Sequence, residues 1–297
     1  MSDFRVSAWL DSAWPIDIMI DAARDAEQLG YGGLWLADHF MSNTGTSQPS
    51  EDGVNECFSS LAGLARSVPR VRLGSMVAAM TYRHPAVVAK IASTIDHLSG
   101  GRFVLGLGPG WQLNEHESYG IPLGSVRDRV DRFAEGVQVI SGLLNLPRTT
   151  VTGDYYQLKD ATLDPKPVQA RLPILLAASG EQRTLPIVAA FADEWNCWST
   201  PPIFAQKSAV LDSLCEHLGR SPESIWRTTA AHLRLDDPSF SGSEPESIGG
   251  SVSQVVDTVG RWRELGLNEW IVPFWGDPRA AREALGRVMT DVVAQLA

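Results

Sequence analysis

Apolar and polar positions alternate along this chain in a repeating two-part pattern. A short run rich in Val, Ile, Leu or Trp is followed by a longer segment in which apolar residues recur at helical spacing. The runs at 4–10, 33–37, 71–77, 102–108, 172–178, 194–199, 225–235 and 269–274 are predicted strands. The segments at 16–29, 55–67, 85–98, 126–146, 181–192, 202–218, 251–265 and 278–296 are predicted helices. In the first helix Ile16, Met19, Ile20, Ala23 and Ala26 share one face, and Gly30 is placed to end it as a left-handed cap.

Regular strand–helix alternation demands a parallel sheet. Eight units favour closure into a (β/α)8 TIM barrel, with residues 1–297 as a single domain. A doubly wound sheet would carry GxGxxG after its first strand, and none stands there. Two connections are long, 38–54 and 147–171, the latter with a hairpin-like GDYYQL stretch. The polar, Gly/Ser/Pro-rich segment 236–250 reads as a mobile loop or lid. In such a barrel the chemistry gathers where the strands end.

Composition narrows the functions. A net charge of −10 argues against a nucleic-acid partner. Cys57, Cys197 and Cys215 are far apart and form no CxxC, which argues against a disulfide framework and a zinc site and fits a reducing cytoplasm. The opening MSDFRVSAWLDS has no basic segment before an apolar run, so no signal peptide is expected. No stretch reaches the roughly 18 apolar residues of a membrane span. The absence of HExxH, GxSxG and Walker A leaves a metal centre or a hydrolase triad without support.

At the strand ends, His39 stands out because imidazole titrates near neutrality and can give or take a proton. A hydrogen-bonded structural histidine is the competing reading, and both stay open. Asp38 is placed either to orient His39 or to cap the following loop. His84 and His97 read as helix-end residues, and His116 as a residue one step behind the site. The glycines of GLGPGW (106–111) allow either a tight bend or close approach of a flat ligand. In ASGEQR (178–183), Ala178, Ser179 and Gly180 precede a predicted helix whose free N–H groups can hold a phosphate. Arg183, in that helix's first turn, opposes the dipole unless an anion sits there. Trp9, Trp14, Trp35, Trp111, Trp195, Trp198, Trp270 and Trp275 cluster near strand ends, and Trp9, Trp111 and Trp198 are candidates to line a substrate pocket.

The segments AARDAEQLGYGGLWLADHF, RHPAVVAKIASTIDHLSGGRFVLGLGPGWQLNEHESYGIP, DYYQLKDATLDPKPVQ and ASGEQRTLPIVAAFADEWN resemble the luciferase-like monooxygenase superfamily. They are most similar to its branch that uses the deazaflavin coenzyme F420. The likeness is clear over about residues 4–200 and loose beyond. It implies a cytoplasmic oxidoreductase, homodimeric as is usual in the family, that moves a hydride between the deazaflavin and a small organic substrate. FMN is the alternative cofactor, in a monooxygenase, and a non-catalytic flavin-binding barrel is a further alternative. The resemblance implies that Asp38 and His39 contact the cofactor, with His39 transferring the proton. It places a cis non-proline peptide at Ser75-Met76, under the ring. Gly108, Pro109, Gly110 and Asn114 match the loop against the ring and its polyol chain, and Ala178, Ser179, Gly180 and Arg183 match the phosphate segment. One departure stands out. Trp111 occupies the position of a catalytic glutamate in the glucose-6-phosphate dehydrogenases of this branch, which implies a more apolar substrate.

Overall fold

In the computed structural model, which describes residues 4–242 and 244–296, the strand–helix alternation is realised in the expected order. The strands are β1 (Arg5–Leu10), β2 (Gly33–Leu36), β3 (Arg72–Ser75), β4 (Ala78–Ala79), β5 (Phe103–Gly108), β6 (Thr149–Thr152), β7 (Gln157–Ala161), β8 (Ile174–Ala177), β9 (Glu194–Trp198), β10 (Trp226–Ala230), β11 (His232–Leu235), β12 (Ser247–Gly250) and β13 (Glu269–Phe274). The helices are α1 (Ile16–Leu29), α2 (Cys57–Ser67), α3 (Pro85–Ser99), α4 (Leu113–Ser118), α5 (Val126–Asn145), α6 (Thr184–Phe191), α7 (Pro201–His217), α8 (Val252–Glu264) and α9 (Pro278–Arg287). Their starts follow side-chain chemistry. Ser125 and Ser251 form capping boxes with Asp128 and Gln254, while Glu56 and Asp277 accept N–H groups of the first turns. Gly30, at φ 94°, ends α1 in the left-handed region, as the sequence predicts. Among the described residues no helix is long and apolar enough to cross a membrane.

The chain groups into two compact units. One comprises Met1–Asp11, Asp17–Trp35 and Ala177–Ala297, and the other Ser12–Ile16 and Leu36–Leu176. In the first unit β1 pairs with β13, β13 with β10, and β10 with β9, all parallel. These strands are nearly continuously buried, as parallel strands covered on both faces must be. Glu269 is a polar tie within that unit. Its buried carboxylate accepts from Ser7 Oγ at 2.5 Å, Trp35 Nε1 at 3.1 Å and Trp226 Nε1 at 3.3 Å. It therefore joins the starts of strands widely separated in sequence.

In the second unit β3 and β4 each pair with β5, and β5 with β8, again in parallel. The sequence predicts one strand over 71–77, but the ladder breaks between Ser75 and Ala78. Gly106 of β5 explains the break. A Cβ there would lie 1.9 Å from the Ser75 carbonyl oxygen, and a Cβ on Gly108 would lie 2.7 Å from Val77 Cγ2. The third strand thus folds over positions that only glycine leaves open. The Ser75 hydroxyl locks the arrangement, donating to Gly106 O at 2.8 Å and accepting from Gly106 N at 3.1 Å. The cis non-proline peptide is Met76-Val77, one residue beyond the expected Ser75-Met76.

Other elements differ from the sequence reading. The predicted strand 225–235 is two strands. β10 belongs to the main sheet, whereas β11 pairs in parallel with β12. The segment 236–250 therefore ends in a strand, and its Ser243 lies outside the described residues. The hairpin expected around GDYYQL is the antiparallel pair β6–β7. The last predicted helix is regular only to Arg287 and continues to Gln295 in wider and then tighter turns.

Two glycine substitutions test this packing. Gly106→Ala should cost about 3 kcal/mol or prevent folding, because the obstructing atom is backbone. Gly63→Ala, in the middle of α2 with nothing near its Cβ position, should stabilise by about 1 kcal/mol. Urea titrations giving equal effects for the two would contradict the close-approach account.

Candidate active site

The strand break delivers residues 78–83 to the end of β2. Ala79 pairs with Gly108, and its N–H reaches Asp38 Oδ2 at 3.2 Å. Asp38 is fully buried, and a buried carboxylate requires a charge partner. Arg83 fills that role with two hydrogen bonds, 2.7 Å to Oδ2 and 3.0 Å to Oδ1, and a third at 2.6 Å to Glu56 Oε1. The Arg83 guanidinium also lies over Phe58, 4.9 Å from the ring centre. Burial pushes the Asp38 carboxyl above its ordinary value against the opposing pull of Arg83. Asp38 thus neither orients His39 nor simply caps a loop. It anchors Arg83 and the second piece of the third strand.

His39 is held by Glu115, a residue the sequence reading passed over. Glu115 lies on α4, a helix hidden within the supposed loop GLGPGWQLNEHE. Its side chain is buried. Oε1 meets His39 Nδ1 at 2.8 Å and also accepts the Tyr82 hydroxyl, while Oε2 accepts the Phe40 N–H at 2.7 Å. Burial works to raise the Glu115 carboxyl, but the hydrogen bonds and charge of His39, the Phe40 N–H and the Tyr82 hydroxyl outweigh it and hold the group below the usual carboxylate value. The Tyr82 phenol is pushed well up, first by burial and then by that carboxylate.

Trp111 stands edge-on to the His39 ring, centroids 5.5 Å apart, and is 57% exposed. Neighbouring α4 residues tie down the long loop after β2. Gln112 Nε2 donates to Met41 O and Asn114 Nδ2 to Ser42 O, each at 2.9 Å. Asn114 Oδ1 is buried with no hydrogen-bond partner among the described residues. His116 is buried behind this layer. Its Nδ1 meets Gln112 O at 2.6 Å and its Nε2 meets Thr81 Oγ1 at 2.8 Å, so Nδ1 carries the hydrogen and Nε2 accepts from the threonine. Burial is the main cause that lowers its pKa. His84 caps α3 by accepting from Ala86 N, and His97 bonds Lys166 O, so both are helix-end residues as expected.

Gly108, Pro109 and Gly110 lie where β5 gives way to α4. The room at Gly108 is filled by Val77, and that at Gly110, whose φ is 85°, by Thr81. Packing within this unit accounts for those glycines. Ser75 and Met76 are buried at the strand break.

The other predicted residues fall in the first unit. The helix after β8 starts at Thr184, later than predicted, so Arg183 is the residue before it rather than part of its first turn. Not all the N–H groups ahead of it are available. Ala178 N–H bonds Asn196 O at 3.0 Å, and Gly180 N–H bonds Thr184 Oγ1 at 3.0 Å. Ser179 and Arg183 are exposed. Trp9 and Trp198 come together, centroids 5.6 Å apart, with Trp275 edge-on to Trp9 at 5.0 Å. His232, absent from the sequence-based candidates, joins them 4.9 Å from Trp198. Burial is the largest cause that lowers its pKa.

Comparison with known proteins places this geometry. The family model described as luciferase-like monooxygenase matches residues 1–239. The F420-dependent glucose-6-phosphate dehydrogenase of Kineococcus radiotolerans is 34% identical over 230 residues, which is 74% of this chain. The match spans 64% of that protein, a little under two thirds of its length. Among solved structures, an F420-dependent secondary alcohol dehydrogenase bound to an F420-acetone adduct aligns over 100% of both chains with a TM-score of 0.83 and 16% identity. The coenzyme F420-dependent tetrahydromethanopterin reductase of Methanopyrus kandleri aligns over 100% of this chain and 99% of its own, with a TM-score of 0.80 and 17% identity. These likenesses show the fold, the (β/α)8 barrel expected from the strand–helix count.

The lowered pKa of the buried His116 has a consequence for stability. A histidine whose pKa is depressed by folding takes up its proton only on unfolding, once the pH falls below the ordinary value of 6.5. Stability should therefore fall on acidification through that range, by at most about 1.4 kcal/mol per pH unit for each such group. Urea midpoints between pH 7.5 and 5.5 should show this slope, reduced in His116→Gln. Equal slopes in the two proteins would contradict the neutral assignment.

Proposed function

Because the chain belongs to the luciferase-like monooxygenase family, we propose that it is an F420-dependent oxidoreductase acting on a small organic substrate. The observation that carries the reading is the part-exposed His39 held on a buried carboxylate beside an exposed indole. That constellation can exchange a proton with a substrate hydroxyl or carbonyl, the task that accompanies hydride transfer. The identity to an F420-dependent dehydrogenase over most of this chain supports the choice of coenzyme.

The residues present fit the group. Asn114 Oδ1 is a buried acceptor lacking a partner among the described residues, suited to a hydroxyl or ring N–H. Ser75, Met76, Gly108, Pro109 and Gly110 would border the ring. Asp38 would act behind them, through Arg83 and Ala79. In the first unit, Ser179, Gly180 and Arg183 would receive the phosphate, with Ala178 as their fixed base. When bound, the deazaflavin supplies a carbon that accepts or donates hydride and reacts poorly with oxygen. The protein's part is to bind it, to set the substrate against Trp111, and to hold the proton at His39. Trp9 and Trp198 form an apolar wall suited to a substrate without charge. The same reading takes residues 1–297 as one functional domain and the enzyme as a cytoplasmic homodimer. Three buried free cysteines are consistent with that compartment. The family description favours one second reading, an FMN-dependent monooxygenase of the same fold.

Turnover tests the reading. Small alcohols offered with oxidised F420, and ketones offered with the reduced form, should change the coenzyme's visible absorbance. His39→Ala should lower turnover about 10²–10⁴-fold while leaving coenzyme affinity within about threefold. Arg183→Ala should weaken coenzyme binding about ten- to hundredfold, the effect of one charge-assisted hydrogen bond. Unimpaired turnover in His39→Ala would remove the proton-transfer role.

A further inference from the structure

The proposed reaction uses His39 but gives no work to the carboxylate behind it. Glu115 has no exposure to solvent, and the Phe40 N–H and the Tyr82 hydroxyl donate to it while His39 Nδ1 lies 2.8 Å away. These two donors are in place whatever the state of His39, and donors of this kind favour the ionised carboxylate. An ionised carboxylate only accepts hydrogen bonds, so its 2.8 Å contact requires a hydrogen on His39 Nδ1. In neutral imidazole the lone pair is then on Nε2.

We propose that Glu115 is a positioning residue that holds His39 as the Nδ1–H tautomer and makes Nε2 the nitrogen that exchanges the substrate proton. Tyr82 and the Phe40 N–H hold the carboxylate in turn. This rests on the proton-transfer reading of His39 given above. In the oxidation of an alcohol, the O–H bond breaks and its proton forms a bond to Nε2. The C–H bond would break with its electron pair, the carbonyl would form, and the oxidised deazaflavin, when bound, would supply the hydride acceptor. The imidazolium's positive charge then faces Glu115. In the reverse direction Nε2–H returns the proton to the carbonyl oxygen. Exposed Trp111, edge-on to the ring, limits how His39 can turn, so the tautomer also decides which ring atom the substrate meets.

The tautomer can be read without coenzyme or substrate. Nitrogen-15 NMR of histidine-labelled protein, with His39→Ala to identify its resonances, distinguishes a protonated from a bare ring nitrogen at a pH where imidazole is neutral. The wild type should show Nδ1 protonated and Nε2 bare. Glu115→Gln should invert this. The Phe40 N–H requires an oxygen opposite it, so the new amide must turn its NH2 toward His39, whose Nδ1 then accepts. The tautomer ratio should shift at least tenfold toward Nε2–H. An Nε2–H tautomer in the wild type would overturn the proposal, even if the variant fails to fold. So would the same tautomer in both proteins. Failure of F420 to bind would remove the proposed reaction but leave this result standing, so the two failures are separable.

Discussion

The close approach of β5 to the broken third strand is the constraint from which the candidate site follows. Gly106 has no side chain, and the Ser75 carbonyl occupies the space one would take. The Ser75 hydroxyl, bonded both ways to the Gly106 backbone, fixes the distance. Past that point the chain steps out of the ladder and rejoins it at Ala78 and Ala79. The step brings the Ala79 N–H, Thr81, Tyr82 and Arg83 beside the end of β2. Each has a defined partner there: Asp38 for Ala79 and Arg83, His116 for Thr81, Glu115 for Tyr82.

Two buried carboxylates then divide the work. Asp38 is neutralised by a forked guanidinium contact and serves the scaffold. Glu115 instead meets a part-exposed imidazole, a backbone N–H and a phenol hydroxyl. A charge held this way polarises the imidazole, the partner proposed to meet the substrate. The adjacent sequence letters Asp38 and His39 thus belong to separate networks that meet at Phe40, whose ring packs with Tyr82 and beneath the Arg83 guanidinium.

The strands and helices were largely legible because each has its own periodicity. α1 and β13 fall on the residues expected from apolar spacing alone. Three features were not legible. The run 71–77 reads as one strand from Val71, Leu73, Met76 and Val77, and hydrophobicity carries no record of a backbone step imposed by glycines thirty residues later. The run 225–235 likewise hides the change of partner at Ala231, where β10 ends and β11 begins in a different sheet. α4 buries Asn114, Glu115 and His116 in succession, so it has no apolar stripe to reveal it. The site was legible in its outward-facing members. His39 was found because it ends a strand. Glu115, Tyr82 and Arg83 were not, because their partners come from other segments. A weak signal did exist, since a buried acid at a strand end calls for a cation and a proton-transfer histidine calls for an orienting acceptor.

The central claim is that these networks serve a deazaflavin rather than a flavin. Fluorescence titration of the purified protein with coenzyme F420 and with FMN, side by side, tests it most directly. Saturable F420 binding at least tenfold tighter than FMN binding is the predicted result. Tight FMN binding with no detectable F420 binding would contradict it.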